Sequence, residues 1–127
     1  MAKKFFQFCF IAAIIFFGSN LCSAEDLIFV DSRGEIGYYF DRDTVQIKNA
    51  GALSVNLIVI KIDVNEMEIT DLEINHAEKL YTIKSVKTLS YSDRTEISAD
   101  YNSRRPRPYS DKSLMGEIVT MILYGGE

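Results

Sequence analysis

Residues 53–62 are the feature that most limits how this chain can fold, because they are apolar at odd and even positions alike. Leu57 and Val59 share one parity, whereas Ile58 and Ile60 share the other. A strand with one face in water alternates apolar and polar residues, so a run that is apolar on both faces suits the interior of a covered sheet. The sequence therefore predicts a sheet with this segment inside it.

Segments on either side of this run alternate apolar and polar residues, which is the pattern of a half-buried strand. Residues 36–41 are the clearest case, and a turn signal at residues 31–34 separates them from the apolar run 27–30. Residues 102–108 are not expected to join a ladder, because their two prolines lack the N–H donor. The other predicted strands are 45–47, 72–74, 80–91 and 97–101. Within residues 80–91 the apolar parity changes near Ser85, which predicts a β-bulge.

One helix is predicted after the strands. Leu114, Ile118 and Ile122 recur at helical spacing, Ser113 or Asp111 can cap the first turn, and two glycines follow. Such an apolar stripe needs a sheet face to cover. We therefore expect an α+β fold with an antiparallel, meander-like β-sheet of about six strands and one C-terminal α-helix packed on one face.

Residues 1–24 have the layout of a cleavable signal peptide. An apolar run at residues 5–17 follows two lysines, and small residues precede a cleavage position between Ala24 and Glu25. The run is shorter than the roughly 20 residues of a membrane-spanning helix, so we expect cleavage and no transmembrane helix afterwards. Residues 25–127 are then expected to form a single domain that is exported to the periplasm, the cell surface or the extracellular medium. A retained anchor and a lipid-modified Cys22 are the alternatives.

Charge and cysteine content narrow the class of protein further. The chain has 14 Lys and Arg against 18 Asp and Glu, and two of the basic residues, Lys3 and Lys4, lie in the leader. The acidic balance that remains argues against nucleic acid as a partner, because neutralising phosphates needs a basic surface. Both cysteines, Cys9 and Cys22, also lie in the leader. The exported domain is therefore expected to fold by packing alone, without an internal disulfide.

The sequence lacks the residue groups that most hydrolases and metal sites use. His76 is the sole histidine, and no G-x-S-x-G sequence occurs. The acidic residues between positions 63 and 78 do not follow EF-hand spacing, and Asp71 and Glu73 are expected to share a solvent face that discourages edge-to-edge pairing. We therefore predict a non-enzymatic binding module without a cofactor or metal. A carboxylate-dependent hydrolase or ion-binding domain and a structural subunit of an envelope assembly are the alternatives.

A basic, proline-stiffened segment at residues 104–108 is the most unusual local feature of an otherwise acidic chain. Guanidinium groups bind carboxylates, sulfates and phosphates through paired hydrogen bonds, which favours a protein or surface glycan as the partner. The alternative is a connector whose arginines pair with Asp100 and Asp111. The candidate partner-binding residues are Arg104, Arg105, Arg107 and Tyr109.

One segment also resembles a known family. Tyr38-Tyr39-Phe40-Asp41-Arg42-Asp43-Thr44-Val45 is similar to the Y-Y-x-D-x-x-[ST]-[IV] segment of small exported bacterial proteins of the surface-adhesin protein E family. Leu72-Glu73-Ile74-Asn75, the strand after it and Ser113 before the helix resemble that family's layout, whereas its cysteines are missing here. The resemblance implies an antiparallel sheet with a helix, dimerisation, and adhesion to host matrix or serum proteins. From the residues themselves, Asp41 or Asp43 is expected to accept backbone N–H bonds in an Asx-type turn.

The leader makes a direct prediction. Intact mass spectrometry of the protein purified from its native host should give a product that begins at Glu25, because signal peptidase cleaves after small residues. An Ala24→Leu variant should retain the leader. A natural product that still begins at Met1 would contradict the prediction.

Overall fold

The computed structural model describes residues 26–125, which form an antiparallel sheet and an α-helix. The predicted leader, with Cys9, Cys22, Ala24 and Glu25, lies outside these residues. Within the described range, no helix is long and apolar enough to span a membrane. The strands are β1 (Leu27–Arg33), β2 (Ile36–Asn49), β3 (Ala52–Lys61), β4 (Glu66–Asn75), β5 (Leu80–Ser90), β6 (Glu96–Asp100) and β7 (Arg107–Pro108). The helix α1 (Leu114–Thr120) continues as a wider π-helical segment, Met121–Gly125.

The sheet is a meander, since the first six strands lie side by side in chain order and every neighbouring pair is antiparallel. The short β7 pairs with β5 on the side where β6 also pairs. This arrangement confirms the predicted α+β fold, with its antiparallel sheet and C-terminal helix. It also means that all main pairings join segments that are close in sequence.

β3 lies inside the sheet and is apolar on both faces, as its sequence predicts. Leu53, Val55 and Leu57 belong to the core under α1, on what we call the helix face. Ile58 and Ile60 point to the opposite side, the open face, where they form a second cluster. The side chains that complete this second cluster are Met67, Leu27, Tyr39, Ile69 and Tyr91.

α1 covers the helix face through its apolar stripe. Ile118 is fully buried and Val119 nearly so, whereas Glu117 and Thr120 are exposed. Full burial of a side chain the size of Ile118 contributes about 1.5–3 kcal/mol. Ser113 is the N-cap, because its Oγ accepts a hydrogen bond from the Gly116 N–H at 3.3 Å. Of the two predicted caps, the structure therefore selects Ser113.

The parity change in β5 is a bulge, as predicted. Asp71 pairs with Ser85 and Leu72 pairs with Ile83, so Lys84 is the extra residue on β5. Because of the bulge, Ile83 and Val86 both lie on the helix face, although one has an odd and the other an even residue number. A single inserted residue thus lets one long strand stay in register with β4 on both sides.

Three expectations from the sequence are wrong in detail. Segments 36–41 and 45–47 belong to one strand, β2, which is bulged between them. Pro108 does join a ladder, opposite Leu80, because this short strand needs no N–H from it; the neighbouring Tyr109 N–H bonds to the Lys79 carbonyl instead. β4 is an interior strand, so its acidic residues do not protect a sheet edge.

Gly116 should be intolerant of any side chain. A Cβ at this position would overlap the carbonyl oxygens of Ser110 and Asp111, which are backbone atoms of the turn before α1. We expect Gly116→Ala to lower the free energy of unfolding by about 1–3 kcal/mol in urea titrations. Helix propensity alone predicts the opposite sign, a gain of about 1 kcal/mol. Thr120→Ala, at an exposed position of the same helix, is the control and should change stability by less than about 0.5 kcal/mol.

Candidate functional site

The three arginines of the basic segment lie around one cavity at the edge of β5. This cavity, the arginine hollow, has a volume of about 430 Å³ and is lined by Tyr81, Ile83, Arg104, Arg105 and Arg107. Tyr81 and Ile83 are half-buried residues of β5 whose side chains belong to the helix face. The hollow therefore combines an aromatic and aliphatic floor with a cationic wall.

Backbone hydrogen bonds fix both ends of the loop that carries the arginines. At its start, the Arg104 N–H donates to the Ile83 carbonyl at 2.9 Å. At its end, Arg107 and Pro108 pair with β5, and the Tyr109 N–H donates to the Lys79 carbonyl at 3.0 Å. An anchored loop loses less conformational entropy when it binds a partner.

The arginines differ in how far their charge is neutralised. Arg104 Nη2 lies 3.0 Å from Asp100 Oδ2, as the connector interpretation expected. Asp111 pairs with Lys79 and not with an arginine, at 2.7 Å. Within residues 26–125, the side chains of Arg105 and Arg107 make no hydrogen bond or ion pair, and both residues are exposed. Two guanidinium groups thus remain available to an anionic partner.

Tyr109 does not line the arginine hollow. Its ring packs against the helix-face core, and its N–H anchors the loop to β5. Burial, followed by the nearby Asp111 carboxylate, raises the pKa of Tyr109 above its ordinary value. The hydrogen bond to Asp111 likewise raises the pKa of Lys79. Tyr109 therefore holds the loop in place, and the structure gives it no contact surface within the hollow.

The motif at residues 38–45 forms a wide bulge in β2. Asp41 pairs with Asn56 and Gln46 pairs with Ser54, so four residues of β2 face one residue of β3. The buried Asp41 carboxylate accepts the Asp43 N–H at 3.1 Å, which is the Asx-type turn that the sequence predicts for Asp41. It also accepts the Asp26 N–H at 3.2 Å, which connects the bulge to the residue before β1.

Thr44 bridges the gap that the bulge leaves in the ladder. Its hydroxyl donates to the Asp41 carbonyl at 2.7 Å and accepts the Asn56 N–H at 2.8 Å. The Thr44 hydroxyl thereby supplies the hydrogen-bond acceptor that the Asn56 N–H would otherwise lack. The Asp and Thr positions of the motif have structural roles here.

The bulge also contributes to two cavities, one on each face of the sheet. On the helix face, Val45 and Arg42 border an apolar cleft next to the end of the helix. On the open face, Thr44 and Gln46 border a polar groove of about 510 Å³. The other polar residues of this groove are Asp43, Lys48, Ser54, Asn56, Asp71, Glu73 and Lys84.

Within residues 26–125, the acidic residues and the histidine do not form a metal-binding cluster. Glu73 lies 3.4 Å from Lys48 and 3.6 Å from Lys84, and Asp71 shares its face as predicted. His76 lies in the turn between β4 and β5. In the part of the chain that the structure describes, no group of three or more His, Cys, Asp or Glu residues is placed to hold a metal ion.

No protein-family model matches this sequence, and no match to it was found among curated proteins or solved structures. The resemblance to the surface-adhesin protein E family therefore rests on residues 38–45 and the order of elements. Those residues build the bulge of β2 and contribute nothing to the arginine hollow.

The Thr44 bridge can be tested with two substitutions. Thr44→Val keeps the shape of the side chain but removes the hydroxyl, which leaves the Asn56 N–H without its partner. We expect it to lower the free energy of unfolding by about 1–2 kcal/mol in urea titrations. Thr44→Ser retains the hydroxyl and should recover most of this loss. Equal losses in the two variants would show that the methyl group, and not the bridge, stabilises the bulge.

Proposed function

We propose that this chain is an exported, non-enzymatic binding module that contacts an anionic glycan at the cell surface through the arginine hollow. The observation that carries the proposal is the placement of Arg104, Arg105 and Arg107 around one anchored cavity. Export follows from the predicted leader. The absence of a sequence motif for catalysis favours binding over turnover.

The chemistry of the hollow favours sulfated or carboxylated sugars. Planar guanidinium groups bind such oxyanions through two parallel hydrogen bonds, and each bond is stronger than a neutral one. The half-buried Tyr81 ring offers an apolar surface on which the carbon face of a sugar can rest. The volume of about 430 Å³ lies within the roughly 300–1,000 Å³ of small-ligand sites, so it suits one or two sugar units.

The charge distribution of the chain also favours the arginine hollow as the site that contacts an anionic glycan. The full chain carries a net charge of −4, and the exported domain is more acidic still because Lys3 and Lys4 lie in the predicted leader. This charge repels anionic glycans from most of its surface. A local concentration of arginine at one edge gives an anionic partner an attractive site on this otherwise acidic chain. Recognition of this kind depends on salt, because ions screen exposed charges over about 8 Å at physiological ionic strength.

The test compares variants that lose equal charge from opposite faces. Replacing Arg104, Arg105 and Arg107 together by Ala should weaken binding to immobilised heparin, used as a sulfated probe, by at least about tenfold at 0.15 M salt. The triple change of Lys48, Lys84 and Lys87 to Ala is the matched control, since these residues lie on the open face or at its bulge. It should retain most of the affinity.

A triple Arg→Lys variant separates charge from geometry. It keeps the three positive charges but loses the planar forks, so its affinity should lie between those of wild type and the Ala variant. Equal weakening in the arginine and lysine triple-Ala variants would indicate a diffuse charge effect and contradict the proposed site. Binding to polyglutamate in preference to heparin and hyaluronan would assign the hollow to acidic proteins and contradict the glycan proposal.

A further inference from the structure

The second cavity of interest lies between the sheet and the far end of the helix. This helix-end cleft has a volume of about 380 Å³ and lies on the opposite side of the helix face from β5, against β1 and β2. Its lining is apolar apart from one charged side chain. The lining residues that matter to the argument are Ile28, Phe40, Val45, Met121, Ile122 and Arg42.

The cleft lies where the π-helical segment and the bulge of β2 meet. Ile118 and Val119 of α1 are buried in the core, but the π-helical segment that follows, Met121–Gly125, keeps Met121 and Ile122 half-exposed. A π-helical turn is wider than an α-helical one and is frequent at functional sites. Opposite the π-helical segment, Val45 and Arg42 of the β2 bulge line the same cleft.

Arg42 is the one charged residue among the described residues that line this cleft. Its Nε donates to the Asp26 carboxylate at 2.9 Å, which fixes the position of the guanidinium. Within residues 26–125 its two terminal nitrogens make no hydrogen bond, and the side chain is 56% exposed. They are therefore available to a second anion at the mouth of an apolar cavity.

We infer that the helix-end cleft binds the acyl chain of a fatty acid, with the carboxylate at Arg42. An apolar lining stabilises the hydrocarbon by removing it from water, and the guanidinium pairs with the head group. Met121, with its flexible thioether, adapts to a chain of methylene groups. The volume is near the lower end of small-ligand sites, so a single chain of medium length fits better than a two-chain lipid.

This site is independent of the proposed function. Its lining shares no residue with the arginine hollow, so either proposal can fail without the other. Arg33 resembles Arg42 in that its Nε also lies near a carboxylate, 3.7 Å from Asp31 Oδ2, but it does not line the cleft. Arg33 therefore provides a matched control.

Isothermal titration calorimetry with decanoate, at concentrations below micelle formation, tests the inference on the protein as purified. We expect one molecule bound per chain, with affinity reduced about tenfold in Arg42→Gln and unchanged in Arg33→Gln. Decyltrimethylammonium, which has the same tail and a cationic head, should bind at least about tenfold more weakly than decanoate. Met121→Trp should block binding by filling the cleft.

Thermal unfolding without ligand shows whether each variant is folded. If Met121→Trp is not folded, Val45→Trp is used to fill the cleft instead. Absence of decanoate binding to the wild-type protein would overturn the inference. So would equal affinity for decanoate and decyltrimethylammonium, because it would leave Arg42 without a role. A dimer that dissociates on Met121→Trp substitution, with no decanoate binding, would assign the cleft to a second copy of the chain and also overturn it.

Discussion

The hydroxyl of Thr44 joins β2 to β3 at the bulge, where the ladder of backbone hydrogen bonds between the two strands is interrupted. β2 is the longest strand, and it has to pair with β1 at one end and remain beside β3 along its whole length. The bulge shifts the register between the two ends of β2. The Asp41 carboxylate and the Thr44 hydroxyl make hydrogen bonds where the bulge interrupts the ladder. Residues of the bulge line both of the neighbouring cavities.

The elements of the fold that could be predicted are those with a strong local pattern. A few neighbouring residues are enough to predict each of three features: β3 with two apolar faces, the bulge at Lys84 and the Ser113 cap. The sequence predicts only residues 72–74 of β4, although the strand begins at Glu66. Glu66 and Glu68 make its first residues look polar, whereas Met67 between them is fully buried on the open face.

The sites were harder to predict because they combine residues that are distant in sequence. The sequence singled out the arginines but could not show that Tyr81 and Ile83 form the floor beneath them. It also grouped Tyr109 with the arginines, although the ring turns toward the core. The helix-end cleft joins strand and helix residues that are separated by most of the chain, and no pattern in the sequence signals such a juxtaposition.

Charge is distributed unequally between the two faces of the sheet. On the open face, Glu73 lies between Lys48 and Lys84, so opposite charges are balanced within a few ångströms. At the edge of β5, by contrast, the guanidinium groups of Arg105 and Arg107 find no carboxylate within the described range. A solvated face tolerates balanced pairs at little energetic cost or gain. The unbalanced arginines make the edge of β5 electrostatically different from the open face.

The placement of the helix after all the strands has a consequence for biogenesis. The chain emerges N-terminus first, both in synthesis and in the proposed export, so the whole meander precedes residues 114–123. Its strands can then form hairpins from local pairings while Leu53, Val55 and Leu72 still lack their cover. A chain in this state exposes a broad apolar surface, to which chaperones bind. Once residues 114–123 form their helical turns, they cover this apolar face and the exposed intermediate no longer persists.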